Sequence, residues 1–212
     1  MSRWMPRIGT LLRFVSIAAL LSLTIAAPRA YAVAGGGVDT VRGFYNVLLI
    51  TMQNGPALGQ AGRYAQIAPV VQRDFNVPFM ARLAVGPDWA TLNDMQRQQV
   101  IDAFSRYISA VYAERFDNYA GERLQVLGEQ PTAAGIIVQS QIVKSNGEPV
   151  NINYLMVPNG PSWQIGDVYL NGTISELATR RSEFSSILRT QGVNGLIAAL
   201  NQKASTLVPA RS

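Results

Sequence analysis

Neither histidine nor cysteine occurs in the 212 residues of the chain, and lysine occurs only at positions 144 and 203. The absence of imidazole and thiol excludes a Ser-His-Asp triad, a Cys-His pair, a zinc site built from His and Cys, and a disulfide bond. Acid–base chemistry would have to rest on carboxylates, tyrosines and two lysines. The composition therefore favours a carrier or binding protein over an enzyme, and we expect no catalytic residue, no metal and no other cofactor.

The first 32 residues have the pattern of a cleaved export signal. Three arginines precede the apolar run Phe14–Ala27, and Ala30–Ala32 carries the small residues of a cleavage site. The apolar run has about 14 residues, against the roughly 20 that span a bilayer. Since no cysteine follows to carry a lipid anchor, we predict a cleaved signal peptide over residues 1–32 and a soluble exported protein.

Removal of the signal changes the charge balance of the chain. The signal holds four arginines and no acid, so the net charge falls from +5 to +1. A nearly neutral domain lacks the basic surface that releases counterions from nucleic acids, so we expect no nucleic-acid partner. The remaining length fits one domain. We predict a flexible lead-in over residues 33–38, a single domain over 39–204 and a tail over 205–212.

Apolar residues at helical spacing predict three helices before the middle of the chain. The first extends over Val41–Gln53 and the second includes Tyr64–Phe75. The third and longest begins at a capping box, in which Asn93 is followed three positions later by Gln96, and continues to about Asn118. The wide apolar stripe of this helix predicts a central place in the core.

From Gly121 the hydrophobic period changes from 3.6 to 2, which predicts four antiparallel strands. A three-residue turn at Ser145–Gly147 gives a hairpin with one apolar and one polar face. The polar face pairs glutamines with asparagines. The pairs expected on the apolar face are Ile136 with Met156, Val138 with Tyr154, Ser140 with Ile152, and Ile142 with Val150.

A last helical segment follows the strands. Thr173 and Glu176 fit a capping box, and Gly192 is expected to break the helix. The inward-facing residues predicted here are Ile174, Leu177, Phe184 and Leu188. The order of elements indicates an α+β fold, in which a twisted four-stranded antiparallel sheet is wrapped by helices on one face.

Two ordered stretches carry a family resemblance. The first contains Phe75–Met80 (FNVPFM) and Gly86–Trp89 (GPDW), and the second begins with Trp163–Val168 (WQIGDV). Their order and spacing extend from about Asp39 to Lys203. The chain resembles the MlaC family, the periplasmic lipid-binding components of ABC-type phospholipid transport. The sequence of Gly172–Ala178 (GTISELA) is most similar to that of the hopanoid-associated HpnM branch.

The resemblance implies an apolar cavity between the sheet and the helices. The cavity would take one hopanoid or phospholipid molecule and leave its head group near the mouth. The implied partners, besides the lipid, are inner-membrane transporter components and an outer-membrane acceptor. No catalytic residue is implied.

Candidate lipid contacts follow from the cavity that the resemblance implies. Phe79, Met80 and Leu83 come from a segment interrupted by Pro78, which suits a movable entrance, and flexible Met side chains fit irregular volumes. The other candidates come from the apolar sheet face and the apolar stripes of the helices. These candidates are Tyr107, Val138, Tyr154, Met156, Val168, Leu177 and Phe184.

Other interpretations remain open at this point. Asp167 is the most suggestive acid, and we expect a paired carboxylate that ties the sheet to the next helix. The alternative is an enzyme that acts on a hydrophobic substrate through Asp167, or another buried carboxylate, and a tyrosine. Arg180 and Arg181 either meet an anionic head group or form a solvated helix face, and the solvated face is favoured. A third possibility is an interaction protein with a solid core.

Overall fold

The structure is a computed structural model, which describes residues 36–208. The predicted signal peptide, the start of the lead-in and the last four residues lie outside this range. The helices are α1 (Gly36–Gln53), α2 (Gly55–Asp74), α3 (Val77–Val85), a short 3-10 helix (Gly86–Thr91), α4 (Asp94–Arg115) and α5 (Glu176–Leu207). The strands are β1 (Arg123–Thr132), β2 (Gly135–Val143), β3 (Pro149–Asn159), β4 (Ser162–Leu170) and β5 (Ile174–Ser175).

The predicted α+β architecture is confirmed. All five strands form one antiparallel sheet in the order β1-β2-β3-β4-β5. The helices pack mainly on the apolar face, where Phe44 of α1 makes edge-to-face contacts with Phe75, Tyr112 and Tyr154. No helix within residues 36–208 is both long and apolar enough to cross a bilayer.

Helix α1 begins earlier than predicted. Residues Gly36–Val38 were expected in a flexible lead-in, but they form its first turn. Gly37 is buried, and a Cβ at this position would lie 3.2 Å from Cγ of Met156 and 3.4 Å from Cγ2 of Val138. The missing side chain therefore lets the start of α1 pack closely against the sheet.

Two prolines lie at the beginning of helices, although Pro78 was expected to interrupt its segment. Pro56 lies in the first turn of α2, directly after the end of α1, and Pro78 lies in the first turn of α3. Proline suits this position because the first helical N–H groups have no partner within the helix. Asn76 caps α3 by accepting a hydrogen bond of 3.1 Å from the backbone N–H of Phe79.

The capping box of α4 is formed as predicted. The side chain of Asn93 accepts from the backbone N–H of Gln96 at 2.9 Å, and the Gln96 side chain accepts from the N–H of Asn93 at 3.0 Å. The helix ends at Arg115, three residues before the predicted Asn118.

The hairpin register matches the prediction. Ile136 pairs with Met156, Val138 with Tyr154, and Ile142 with Val150. The opposite face is less polar than expected, because Leu155 and Val157 are only 7% and 5% exposed. The strict alternation of apolar and polar residues thus holds near the hairpin turn and fails at the other end of β3.

The sheet contains a fifth short strand that was not predicted. Asn171 and Gly172 adopt left-handed backbone conformations, with φ of 51° and 79°. This turn reverses the chain, so that Ile174 pairs with Leu170 and Ser175 pairs with Tyr169.

The first edge of the sheet is irregular. Strand β1 pairs only with β2 in the described part of the chain, and its register shifts between Val126 and Gly128. Leu127, at the shift, is 58% exposed. The bulge interrupts the row of backbone groups along this strand.

Helix α5 starts from a different cap than predicted. The predicted capping box at Thr173 is wrong: the side chain of Ser175 caps the helix by accepting from the N–H of Ala178 at 2.9 Å. Ile174, which was expected inward, is 53% exposed. The predicted break at Gly192 is present, with a φ of 66° inside the helix.

A close backbone approach joins the start of α2 to the end of α4, and it generates a test of the fold. A Cβ on Gly55 would lie 1.9 Å from the carbonyl oxygen of Asp117. We expect Gly55→Ala to lower the free energy of unfolding by about 2 kcal/mol or more, because neither backbone segment can yield. The measurement is urea denaturation monitored by circular dichroism.

Gly43→Ala is the matched control for this substitution. Gly43 lies within α1, and a Cβ there meets no atom within 4 Å. This variant should raise stability by up to about 1 kcal/mol, because alanine favours the helix. Equal effects of the two substitutions would contradict the tight packing at Gly55.

Candidate functional site

An apolar cavity of about 250 Å³ lies between the sheet and helices α4 and α5, and it is open to solvent on one side. Its sheet wall consists of Ile142, Ile152, Tyr154, Val168 and Leu170. Its helix wall consists of Phe104, Tyr107, Ile108, Val111, Tyr112, Phe116 and Leu177, with Phe75 and Met80 beside them. Three charged residues complete the lining: Arg115, Glu176 and Arg180.

The walls of the cavity suit hydrocarbon. Aliphatic and aromatic side chains dominate the lining, so water inside would find few hydrogen-bond partners. A hydrocarbon chain gains about 0.8 kcal/mol for each CH₂ group that it buries. The cavity can therefore hold an apolar ligand without a charged or covalent anchor.

Tyrosines supply the polar atoms of the inner wall. Burial raises the pKa of Tyr154 well above its ordinary value and also raises the pKa of Tyr112. Tyr45, which stacks edge-to-face on Tyr154, shares a hydrogen bond of 2.6 Å with Ser140 and likewise has a pKa raised by burial. These phenols stay protonated at physiological pH and are poorly suited to act as general bases.

Asp167 joins the two walls of the cavity. Its Oδ1 accepts from the backbone N–H groups of Val168 at 2.7 Å and Leu177 at 3.2 Å, and its Oδ2 accepts from the hydroxyl of Ser175 at 2.6 Å. Asp167 is buried but does not line the cavity. It ties β4 to α5 as expected, but through hydrogen bonds: within residues 36–208 it forms no ion pair.

Two charged residues of the cavity lining, Glu176 and Arg180, belong to a network of ion pairs on α5. Arg180 lies 3.3 Å from Glu176 and 3.2 Å from Glu183, and Lys203 also bonds Glu183. The guanidinium of Arg180 lies 5.2 Å from the centre of the Tyr107 ring. The expectation of a solvated face is thus wrong for Arg180, whose side chain is only 18% exposed.

The electrostatic balance at Glu183 shows how strong this network is. Burial alone would raise the pKa of Glu183, but hydrogen bonds and charges from Lys203 and Arg180 outweigh burial and lower it. The carboxylate therefore stays ionised at neutral pH. Glu176 and Glu183 together balance the charges of Arg180 and Lys203.

Five of the ten predicted contact residues line the cavity and five do not. The five in the lining are Met80, Tyr107, Tyr154, Val168 and Leu177. Whether they contact a lipid stays a prediction.

The other five candidates lie elsewhere in the fold. Val138 and Met156 pack against Gly37 under the first turn of α1, and Phe184 makes an edge-to-face contact with Phe104. The ring of Phe79 lies against Gly166, and Leu83 is 40% exposed outside the cavity. Helix α1 therefore closes one end of the sheet, and the cavity forms beyond it.

Most residues of the helix wall were not among the lipid contacts predicted from the sequence. Phe104, Ile108, Val111 and Tyr112 belong to the apolar stripe of α4, which predicts burial equally well against a solid core or a gap. The sequence feature that could have identified these residues is the unusual width of the apolar stripe on α4. A wide stripe lets one side of the helix pack against α2 while another side faces the cavity.

A second hollow of about 260 Å³ lies beside α2, α3 and α4. Its walls include Tyr64, Gln72, Asp102 and Arg106, so it is more polar than the cavity under the sheet. Within residues 36–208 no group of three or more acidic side chains is arranged to hold a metal ion.

Comparison with known families identifies the domain. A family model described as MlaC protein matches residues 45–202, which is most of the chain. The chain belongs to the MlaC family.

A named relative agrees with this assignment. The MlaC binding protein of the intermembrane phospholipid transport system from Haemophilus influenzae is 24% identical over 135 residues. The match spans 61% of this chain and 63% of that relative, less than two thirds of the relative's length.

A solved structure shows that the MlaC-family chain shares a known fold. The phospholipid-binding protein from Ralstonia solanacearum, determined in complex with a phospholipid, superposes with a TM-score of 0.67 at 22% identity. The superposition covers 80% of this chain and 97% of the other.

The role of Asp167 in this MlaC-family chain can be tested by substitution. Asp167→Asn removes the charge that strengthens three hydrogen bonds, two of which join β4 to the start of α5, and we expect a loss of roughly 1.5–3 kcal/mol in unfolding free energy. Thermal and urea denaturation measure the loss.

Asp88→Asn serves as the control, because Asp88 is exposed in the short 3-10 helix. It should change stability by less than about 0.5 kcal/mol. A stable Asp167→Asn protein with altered chemistry on a defined substrate would instead favour a catalytic role for Asp167.

Proposed function

We propose that this protein is a soluble periplasmic carrier, which holds one lipid molecule in the cavity and passes it between membrane-bound transport components. The observation that supports this most directly is a partly open cavity with an almost entirely apolar lining that also includes three charged residues, Arg115, Glu176 and Arg180. Such a lining suits a lipid, which combines apolar tails with a polar head group.

The comparisons favour a phospholipid as the cargo. The relative from Haemophilus influenzae is named for intermembrane phospholipid transport, and the structural neighbour holds a phospholipid. A hopanoid, which the resemblance of Gly172–Ala178 suggested, remains the competing cargo. Both lipids are compatible with apolar walls, so identification of the bound molecule must decide between them.

The proposed compartment and partners rest on different observations. Residues 1–32 have the pattern of an export signal, and the named relative acts in an intermembrane system. We infer that inner-membrane transporter components load or unload the carrier, and that an outer-membrane acceptor is its counterpart. A carrier of this kind exchanges its lipid only while it is docked, because water opposes release of the tails.

The arrangement of acids gives little support to the enzyme alternative. Asp167 lies outside the cavity, and its oxygens already accept three hydrogen bonds. Glu176 lines the cavity but is paired with Arg180. Burial, together with the charge of Asp167, raises the pKa of Tyr169, so this phenol stays protonated at neutral pH.

Native mass spectrometry tests the carrier function. The exported protein, purified from its own host, should carry one lipid per chain, and organic extraction identifies it as phospholipid or hopanoid. Repeated recovery of empty protein that also takes up no lipid from vesicles would contradict the proposal.

A cavity-filling variant tests where the lipid binds. Val111 lies in the helix wall, and Val111→Trp should reduce lipid occupancy at least about tenfold, since the indole occupies space that the tails need. Occupancy is measured by native mass spectrometry after incubation with vesicles.

Leu127→Trp provides the control, because Leu127 is exposed on β1, away from the cavity. Its occupancy should equal that of the unmodified protein. Full lipid loading of Val111→Trp, with an unchanged melting temperature, would place the lipid elsewhere.

A further inference from the structure

The solvent side of α3 combines a cation with an apolar side chain. Arg82 and Leu83 are neighbours in the last turn of this helix, and both are exposed, Leu83 by 40%. Met80, earlier in the same helix, is buried and lines the cavity. Helix α3 therefore contributes one side to the cavity wall and another to the protein surface.

Helix α5 brings two more cations to this surface. A Cβ on Gly86, which ends α3, would lie 3.1 Å from Nε of Arg181. The N–H of Gly86 donates to the carbonyl oxygen of Arg82, so both arginines lie beside the end of α3. Arg189, about two turns further along α5, is exposed as well.

The charges of these three arginines are largely uncompensated. In the described part of the chain none of them forms an ion pair. The carboxylates of Glu176 and Glu183 on α5 are paired with Arg180. Asp88, in the short 3-10 helix after α3, is an exposed carboxylate close by in sequence. Three cations against this one anion leave an excess of positive charge.

Arginines around an apolar side chain suit the surface of an anionic membrane. A guanidinium binds a phosphate through two parallel hydrogen bonds, and a leucine side chain can enter the interface beneath the head groups. An acidic protein surface would match the arginines, but it would also need an apolar recess that fits Leu83. A fluid lipid surface needs no such fit, so the combination favours a membrane.

We propose that a basic patch, formed by Arg82, Leu83, Arg181 and Arg189, docks this protein on anionic membranes. The inference goes beyond the proposed carrier function, which assigns lipid contact to the cavity alone. Because α3 and α5 also line the cavity, docking through the patch brings the cavity wall close to the bilayer. The contact is weak and reversible, since three arginines supply a modest attraction that salt screens.

Co-sedimentation with vesicles tests the patch. The exported protein is mixed with vesicles of dioleoyl phosphatidylglycerol and phosphatidylcholine in equal parts, or with vesicles of phosphatidylcholine alone. The protein should sediment with the anionic vesicles and remain mostly in solution with the neutral ones. Added salt should release it, because the attraction acts between exposed charges.

Substitutions in the patch should change the affinity for anionic vesicles in both directions. Arg82→Gln should weaken binding about fivefold, and the double variant Arg82→Gln/Arg181→Gln roughly 25-fold, since each arginine near the surface contributes equally. Leu83→Gln should weaken binding about threefold through lost apolar contact. Asp88→Asn should strengthen it about threefold, because it removes a repelled charge.

Strand β1 supplies matched controls at the other edge of the sheet. Arg123 is exposed and forms no ion pair within residues 36–208, and Leu127 is 58% exposed. Arg123→Gln and Leu127→Gln change the same residue types as the variants of the patch. They should leave vesicle binding unchanged.

The outcomes separate membrane docking from the carrier function. Equal sedimentation with both kinds of vesicle, or equal losses in the β1 variants, would overturn the patch. Patch variants that bind vesicles normally but fail to exchange lipid with membrane-bound transport components would point to an acidic protein partner, and would overturn it too. If Arg181→Gln lowers the melting temperature, the single Arg82→Gln variant decides. Vesicle binding by a protein that native mass spectrometry always finds empty would contradict the carrier function and support the patch.

Discussion

The carboxylate of Asp167 is the connection on which the site depends. It accepts hydrogen bonds from the backbone of Val168 on the sheet and of Leu177 on α5, and both residues line the cavity. One buried side chain therefore fixes the distance between the two walls. Because its third bond goes to Ser175, which caps α5, the direction in which the helix leaves the sheet is fixed as well.

The cavity exists because the helices cover the sheet unevenly. At one end Gly37 brings α1 so close that Val138 and Met156 have no free surface. At the other end α4 and α5 span the sheet above Ile142 and Ile152 without filling the space. The gap is thus a consequence of helix placement, while the side chains on both sides are ordinary core residues.

Because the cavity results from helix placement, local sequence patterns predict some features of the structure and not others. The register of β2 on β3 follows from alternating side chains, and the start of α4 follows from Asn93 and Gln96, so local patterns were sufficient. The fifth strand depends on left-handed conformations at Asn171 and Gly172, and the true cap is Ser175, two positions after Thr173. Val138 and Val168 lie on the same apolar face, and only the path of α1 decides which one borders the gap. No local pattern records that path.

The bulge in β1 limits the pairing of this edge strand with other protein chains. An exposed, regular edge strand offers its backbone donors and acceptors to other chains and promotes aggregation. Here the ladder is interrupted at Leu127, and Pro131 lacks an N–H group near the end of the strand. A second chain finds no long row of groups with which to pair. Self-association through this edge is therefore disfavoured even at high protein concentration.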